Sequence, residues 1–134
     1  MEEPSVERLT GVYDADSGLR GELSYAIGKV LGRRHCALCE VTHAGLRQKE
    51  EWRSCVAAVP IPFDLLHRDQ VDPAVMASVG ARPPFVMASV RGSWHVVARR
   101  EEIERCEGDP ARLFETIEAN LARLGATMGA SRAE

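Results

Sequence analysis

A short apolar run from Leu9 to Tyr13 gives way to Asp14-Ala15-Asp16-Ser17-Gly18, a turn-forming cluster whose Asp and Ser side chains can also cap a following helix. This predicts strand, turn and helix. Leu19, Leu23, Ile27, Val30 and Leu31 then recur at helical spacing. Gly21 and Gly28 weaken that helix by roughly 1 kcal/mol each relative to Ala, and it should end near Gly32. From Arg33 to about Ala44 the pattern is again helical, with Gly45 as a stop. A further helix over Lys49 to Ala58 would bury Trp52, Cys55 and Val56 on one side, and Pro60 and Pro62 close the region.

The second half alternates more regularly. Phe63 to His67 predicts a strand stopped by Arg68-Asp69-Gln70, and Asp72-Pro73 opens a short helix to about Val79. Gly80 to Pro84 reads as a loop. Phe85 to Val90 and Trp94 to Arg99 predict two strands joined through Arg91-Gly92-Ser93, a three-residue connection containing Gly, so the pair should be antiparallel. Trp94 and His95 fall on opposite faces, with Trp94 expected in the core and His95 exposed. In the last element Asp109 caps, Pro110 occupies the first turn, and Leu113, Phe114, Ile117, Leu121 and Leu124 line one helical face before Gly125. Strand and helix thus alternate ahead of an antiparallel hairpin, and the expected fold class is α/β.

Composition narrows the function classes. At 134 residues and 45% hydrophobic the chain suits one domain with a core over about 9–125, and the residues after Ala126 are expected to fray. With 17 basic and 20 acidic side chains mixed along it, the chain has no basic stripe for phosphates, so nucleic acid is not an expected partner. No apolar run approaches the roughly 20 residues of a membrane helix, and the acidic start lacks a hydrophobic leader, which predicts a cytoplasmic protein without membrane contact. Four cysteines in that compartment favour metal binding or transient redox work over a permanent disulfide framework. Cys55 and Cys106 stand alone and are expected to be small buried apolar residues. No phosphate-cradling glycine loop or G-x-S-x-G elbow is present.

The chemically pointed segment is His35-Cys36-Ala37-Leu38-Cys39, with His43 four residues on, and it has three readings. In the redox reading Cys36 is the more reactive thiolate, favoured by Arg33, Arg34 and His35, and Cys39 resolves the mixed disulfide with a protein thiol partner. In the metal reading Cys36, Cys39 and His43, with His67 or His35 as a fourth ligand, hold a zinc-like transition metal. Along one continuous helix Cys36 and His43 would be about 10 Å apart, so the CxxC would have to form a turn. In the third reading Cys36, Leu38, Cys39 and His43 belong to a helix packed in the core, and the protein is a non-enzymatic interaction domain.

The element order, the CxxC and Arg82-Pro83-Pro84 ahead of Phe85 together resemble the thioredoxin-like superfamily. The resemblance implies a mixed sheet of about four strands, two parallel and then an antiparallel hairpin, with an enlarged helical layer after the first strand. It also implies a cis proline at Pro84 beside the active thiols, and that Tyr13, Asp14 and Asp16 lie near His67, Arg68 and Asp69 where the two parallel strands end. Open sheets commonly place ligands at that edge, and a carboxylate and a histidine there suit acid–base work or a small cation, the simpler reading being turn-forming aspartates and a salt-bridged strand end. One departure is plain: in that family the CxxC directly follows the first strand, where this chain carries Asp14 to Gly18. Helix one would descend from the carboxyl end of the sheet, which predicts a chain near the opposite end when it reaches Cys36.

Overall fold

The computed structural model describes residues 5–14, 37–44 and 47–126. A four-stranded mixed sheet organises them. Its strands are β1 (Val6–Tyr13), β4 (Phe63–His67), β5 (Phe85–Val90) and β6 (Ser93–Ala98), in the order β4-β1-β5-β6. β1 pairs parallel with β4, from Leu9↔Phe63 to Tyr13↔His67, and antiparallel with β5, which pairs antiparallel with β6. The hairpin is as the pattern predicts, and the parallel pair is as the resemblance implies. β1 begins three residues earlier than its apolar run because Val6 is itself buried against the core.

The central position of β1 explains its composition. Leu9 and Tyr13 point to one face and Val12 to the other, and all three are buried, as befits a strand covered on both sides. Gly11 permits close approach: a Cβ there would lie 3.0 Å from Leu65 Cδ2 and 3.1 Å from Leu38 Cδ2, so both leucine side chains would have to give way. Leu38 belongs to α1 (Ala37–Thr42), which is thereby seated directly over the strand. Four residues later Thr42 touches Tyr13, so α1 runs towards the carboxyl end of the sheet. The predicted helix over Leu19 to Leu31 lies outside the described residues.

The helix expected from Arg33 to Ala44 is shorter than its pattern. It ends at Thr42, and His43–Ala44 (β2) pairs with Arg47–Gln48 (β3) in a small antiparallel ladder. Lys49 N–H donates to the Thr42 carbonyl at 2.8 Å, taking one of the carbonyls a helix end leaves open. α2 (Glu50–Ala58) carries Glu50 and Glu51 in its first turn, where acidic groups favour the helix dipole. It buries Trp52, while Cys55 and Val56 are half-buried against the same core. Trp52 meets Phe63 edge-on with centroids 4.9 Å apart, and Phe114 closes the trio at 5.6 Å from each.

A 3-10 turn, Arg68–Gln70, stops β4. α3 (Pro73–Val79) follows, with the Asp72 carboxylate accepting from Ala74 N–H at 2.8 Å. Its Val75, Met76 and Val79 cover Val12, Phe85 and Met87 on one face of the sheet. α1, α2, α4 (Arg100–Arg105) and α5 (Pro110–Arg123) supply the core on the other. α5 is capped by Asp109 as expected, but Leu124 is 47% exposed because the helix ends at Arg123 and its face no longer meets the core. The β5–β6 turn is tighter than expected: Arg91 and Gly92 both have positive φ (52° and 79°), and Ser93 joins the strand. Two positive φ values in a two-residue loop match the twist of the flanking strands. Trp94 is half-buried and packs against the cluster of Val12, Phe85 and Met87, while His95 is half-buried rather than exposed.

Candidate functional site at the carboxyl edge of the sheet

Because β1 and β4 run parallel in register, Tyr13 and His67 end side by side, with ring centroids 5.4 Å apart. α1 delivers Thr42 and His43 to the same place, with the His43 ring 6.2 Å from that of Tyr13. Tyr13 Oη lies 2.8 Å from Thr42 Oγ1, which lies 2.6 Å from His43 Nδ1 and 3.5 Å from the Cys39 carbonyl oxygen, to which it donates. Tyr13 Oη is also 3.5 Å from His43 Nδ1. Thr42 is fully buried and Tyr13 nearly so, whereas both imidazoles are partly open. Burial, and next charge repulsion from His67, push the His43 pKa below its ordinary value, which favours the neutral ring.

One residue further along, the chemistry changes from neutral to charged. Asp14 Oδ1 accepts from Arg68 Nη1 at 3.2 Å and Asp14 Oδ2 from Arg100 Nη1 at 3.3 Å. The same Arg100 nitrogen donates to the Pro83 carbonyl at 2.7 Å. This ties the end of β1 to the proline loop, where the Pro83–Pro84 peptide bond is cis. The edge predicted from the parallel strands therefore assembles around Tyr13, Asp14, His67 and Arg68. Asp69 lies exposed in the 3-10 turn, and Asp16 lies outside the described residues.

Sequence reasoning missed Thr42 and Arg100. Thr42 was hidden in a segment read for its cysteines, and its signal is a hydroxyl three residues after Cys39 and adjacent to His43. Arg100 begins a helix whose alternating charges resemble a solvated face, and nothing local shows that it reaches back to β1.

The thiols differ in environment. Cys39 sits half-buried on α1, packed beside the core and one helical turn ahead of His43. Cys36 lies outside the described residues. Cys106 is buried, its thiol 3.3 Å from the Glu102 carbonyl, and burial raises its pKa despite a hydrogen bond with Thr116 that works in the other direction. Burial, followed by the charges of Glu51 and Asp109, likewise raises that of Cys55. A raised thiol pKa means little thiolate at neutral pH, which leaves Cys55 and Cys106 as poor nucleophiles.

Among the described residues no three His, Cys, Asp or Glu side chains converge to hold a metal ion, although His43 and His67 do reach the same edge. Nor is any described helix long and apolar enough to cross a membrane. Compared with protein-family models, curated proteins and solved structures, the chain matches none.

Proposed function

We propose that this protein works by thiol chemistry: Cys36 and Cys39 form a reversible dithiol that exchanges with a disulfide, the substrate being a protein disulfide. The observation that carries the reading is half-buried Cys39 on α1, four residues before a histidine held at the carboxyl edge of the sheet. A thiol must lose its proton to attack, and a neutral imidazole is the side chain suited to take it near pH 7. The raised thiol pKa values of Cys55 and Cys106 support the same assignment by removing the two competing cysteines. The strand order and the cis peptide bond ahead of β5 support a thioredoxin-like reading of the fold, with the dithiol displaced onto a later helix.

The chemical sequence is short. The Cys36 thiolate attacks one sulfur of the substrate disulfide, forming a mixed disulfide and releasing the first thiol. Cys39 then attacks the Cys36 sulfur, closing the Cys36–Cys39 bond and releasing the second thiol. The test is to react the reduced protein with glutathione disulfide and map its cysteines by mass spectrometry. The expected product has lost two hydrogens between Cys36 and Cys39, and Cys36→Ser abolishes the exchange with little loss of stability. Exchange at the full rate in Cys36→Ser, or native protein that retains a metal lost on Cys39→Ser, would overturn the reading.

A further inference from the structure

β4 is an edge strand of the sheet, and its ladder with β1 decides which of its backbone groups point outward. Leu9 N–H donates to the Pro62 carbonyl at 2.9 Å, which in a parallel pair turns the amides and carbonyls of Asp64 and Leu66 towards β1. Those of Phe63, Leu65 and His67 therefore point away from the sheet. The His67 amide is taken by Gln70 Oε1 at 2.8 Å. On the opposite edge, Asn120 Nδ2 of α5 likewise donates to the Val97 carbonyl of β6 at 2.8 Å. Among the described residues no side chain does the same for Phe63 or Leu65, and no strand pairs with that outer side of β4. A row of unpaired backbone donors and acceptors is a template for another strand.

Beside this edge α2 and β4 frame an open groove of about 460 Å³, whose lining includes Trp52, Arg53, Val56, Ala57, Phe63 and Leu65. Phe63 and Leu65 pack on the α2 side of the sheet, so every second residue of an added strand would face the groove as well. The rim is basic. Exposed Arg53 has no acidic partner among the described residues, and Asp64, the one acid in the lining, is held by Arg8 at 3.1 Å. We propose that Phe63, Leu65 and this groove bind an extended segment of a partner protein, which adds to β4 as a further strand. One of its apolar side chains enters the groove, and a carboxylate on the same face meets Arg53. Main-chain bonds to Phe63 and Leu65 hold the segment, while the groove and Arg53 select its side chains. A second copy of this chain fits less well, because its groove brings another Arg53 and no spare carboxylate. The surface shares no residue with the network of Tyr13, Thr42 and His43, and it stands whether or not the dithiol reading does.

The probe is a capped peptide, Thr-Glu-Thr-Leu-Thr-Val-Thr, added to the full chain and followed by amide hydrogen exchange. In the free protein the Phe63 and Leu65 amides should exchange fast, while those of Asp64 and Leu66 are protected by β1. Bound peptide should slow Phe63 and Leu65 by about tenfold or more. Methylating one alternate set of peptide amides should weaken binding by about tenfold or more, and methylating the other set, which faces solvent, should not. This comparison uses the wild-type protein, so it does not depend on a variant that folds. Arg53→Gln should weaken binding by about fivefold, the upper end for an exposed ion pair, and should remove any further loss when the peptide glutamate is replaced by glutamine. Equal losses from the two methylated sets, or unchanged exchange at Phe63 and Leu65 with millimolar peptide, would overturn the proposal. Protection of those amides in the free protein would overturn it too: protection that grows with protein concentration assigns the edge to a second copy, and constant protection assigns it to the chain itself.

Discussion

Tyr13 and Asp14 are neighbours at the end of one strand, yet they anchor two networks built on different physics. Tyr13 reaches Thr42 and His43 through neutral hydrogen bonds in a buried setting. Asp14 holds two guanidinium groups, and its side chain and that of Arg100 are 26% and 28% exposed. In the neutral network the energetic weight falls on what happens when a partner is lost, because a buried donor left unpaired costs about 1–3 kcal/mol. In the charged clasp water can replace a lost partner, and exposed ion pairs contribute about 0–1 kcal/mol. The clasp also joins β1 to the proline loop through Arg100, so its function is connection, whereas the neutral network fixes the orientation of one ring.

The sharpest way to break this contrast is Thr42→Val, which replaces the hydroxyl by a methyl group. It removes the hydroxyl that both Tyr13 Oη and His43 Nδ1 contact, at a residue that is itself fully buried. The expected loss is about 2 kcal/mol in chemical denaturation, from the two hydrogen bonds that meet at Thr42 Oγ1. Tyr13→Phe removes one of these two contacts and keeps that between Thr42 and His43, and should cost only about 1 kcal/mol. Equal losses in the two variants would show that the hydroxyl of Thr42 is not the junction.

The same contrast explains what was readable in the chain. The β4, β5 and α3 boundaries are visible in Phe63–His67, Phe85–Val90 and Pro73–Val79 because period, caps and proline are local signals. The placement of Tyr13 beside His67 follows from one further step, parallel pairing of β1 with β4. The neutral network needs more. It depends on α1 ending at Thr42 rather than near Ala44, and the cause of that ending is the ladder between His43–Ala44 and Arg47–Gln48, a pairing too short to leave a periodic signature. Arg100 is harder still, since its partners Asp14 and Pro83 are 86 and 17 residues away and only the tertiary fold brings them to it. Local pattern thus reveals the scaffold and the edge, while side chains that act at a distance along the chain stay hidden.

A second prediction sharpens the comparison through pH. The His43 pKa is lowered in the folded protein, so between that folded value and its ordinary value of about 6.5 the unfolded chain binds more protons than the folded one. Stability contributed by neutral His43 is therefore complete above pH 6.5 and is lost as pH falls towards the folded pKa. Acidification from pH 7 should lower the denaturation midpoint, and His43→Gln should flatten that dependence. A wild-type slope unchanged by His43→Gln would move the source of the acid sensitivity to another group.

The smallest effect is expected at Asp14. Asp14→Asn keeps the shape of the side chain but removes the charge shared by Arg68 and Arg100. Both guanidiniums are partly open to solvent, and Arg100 retains the Pro83 carbonyl and its Glu104 partner at 3.5 Å, so neither is left without compensation. The expected loss is about 0.5–1 kcal/mol at low ionic strength and less in high salt, where screening weakens the wild-type pairs as well. Denaturation of both proteins across a salt series measures this: the wild-type and Asp14→Asn curves should converge as salt rises, while the gap between wild type and Thr42→Val should hold. A salt-independent loss at Asp14 would mean that the clasp resists water as the neutral network does, and would erase the distinction between two adjacent residues on which the rest of the site is organised.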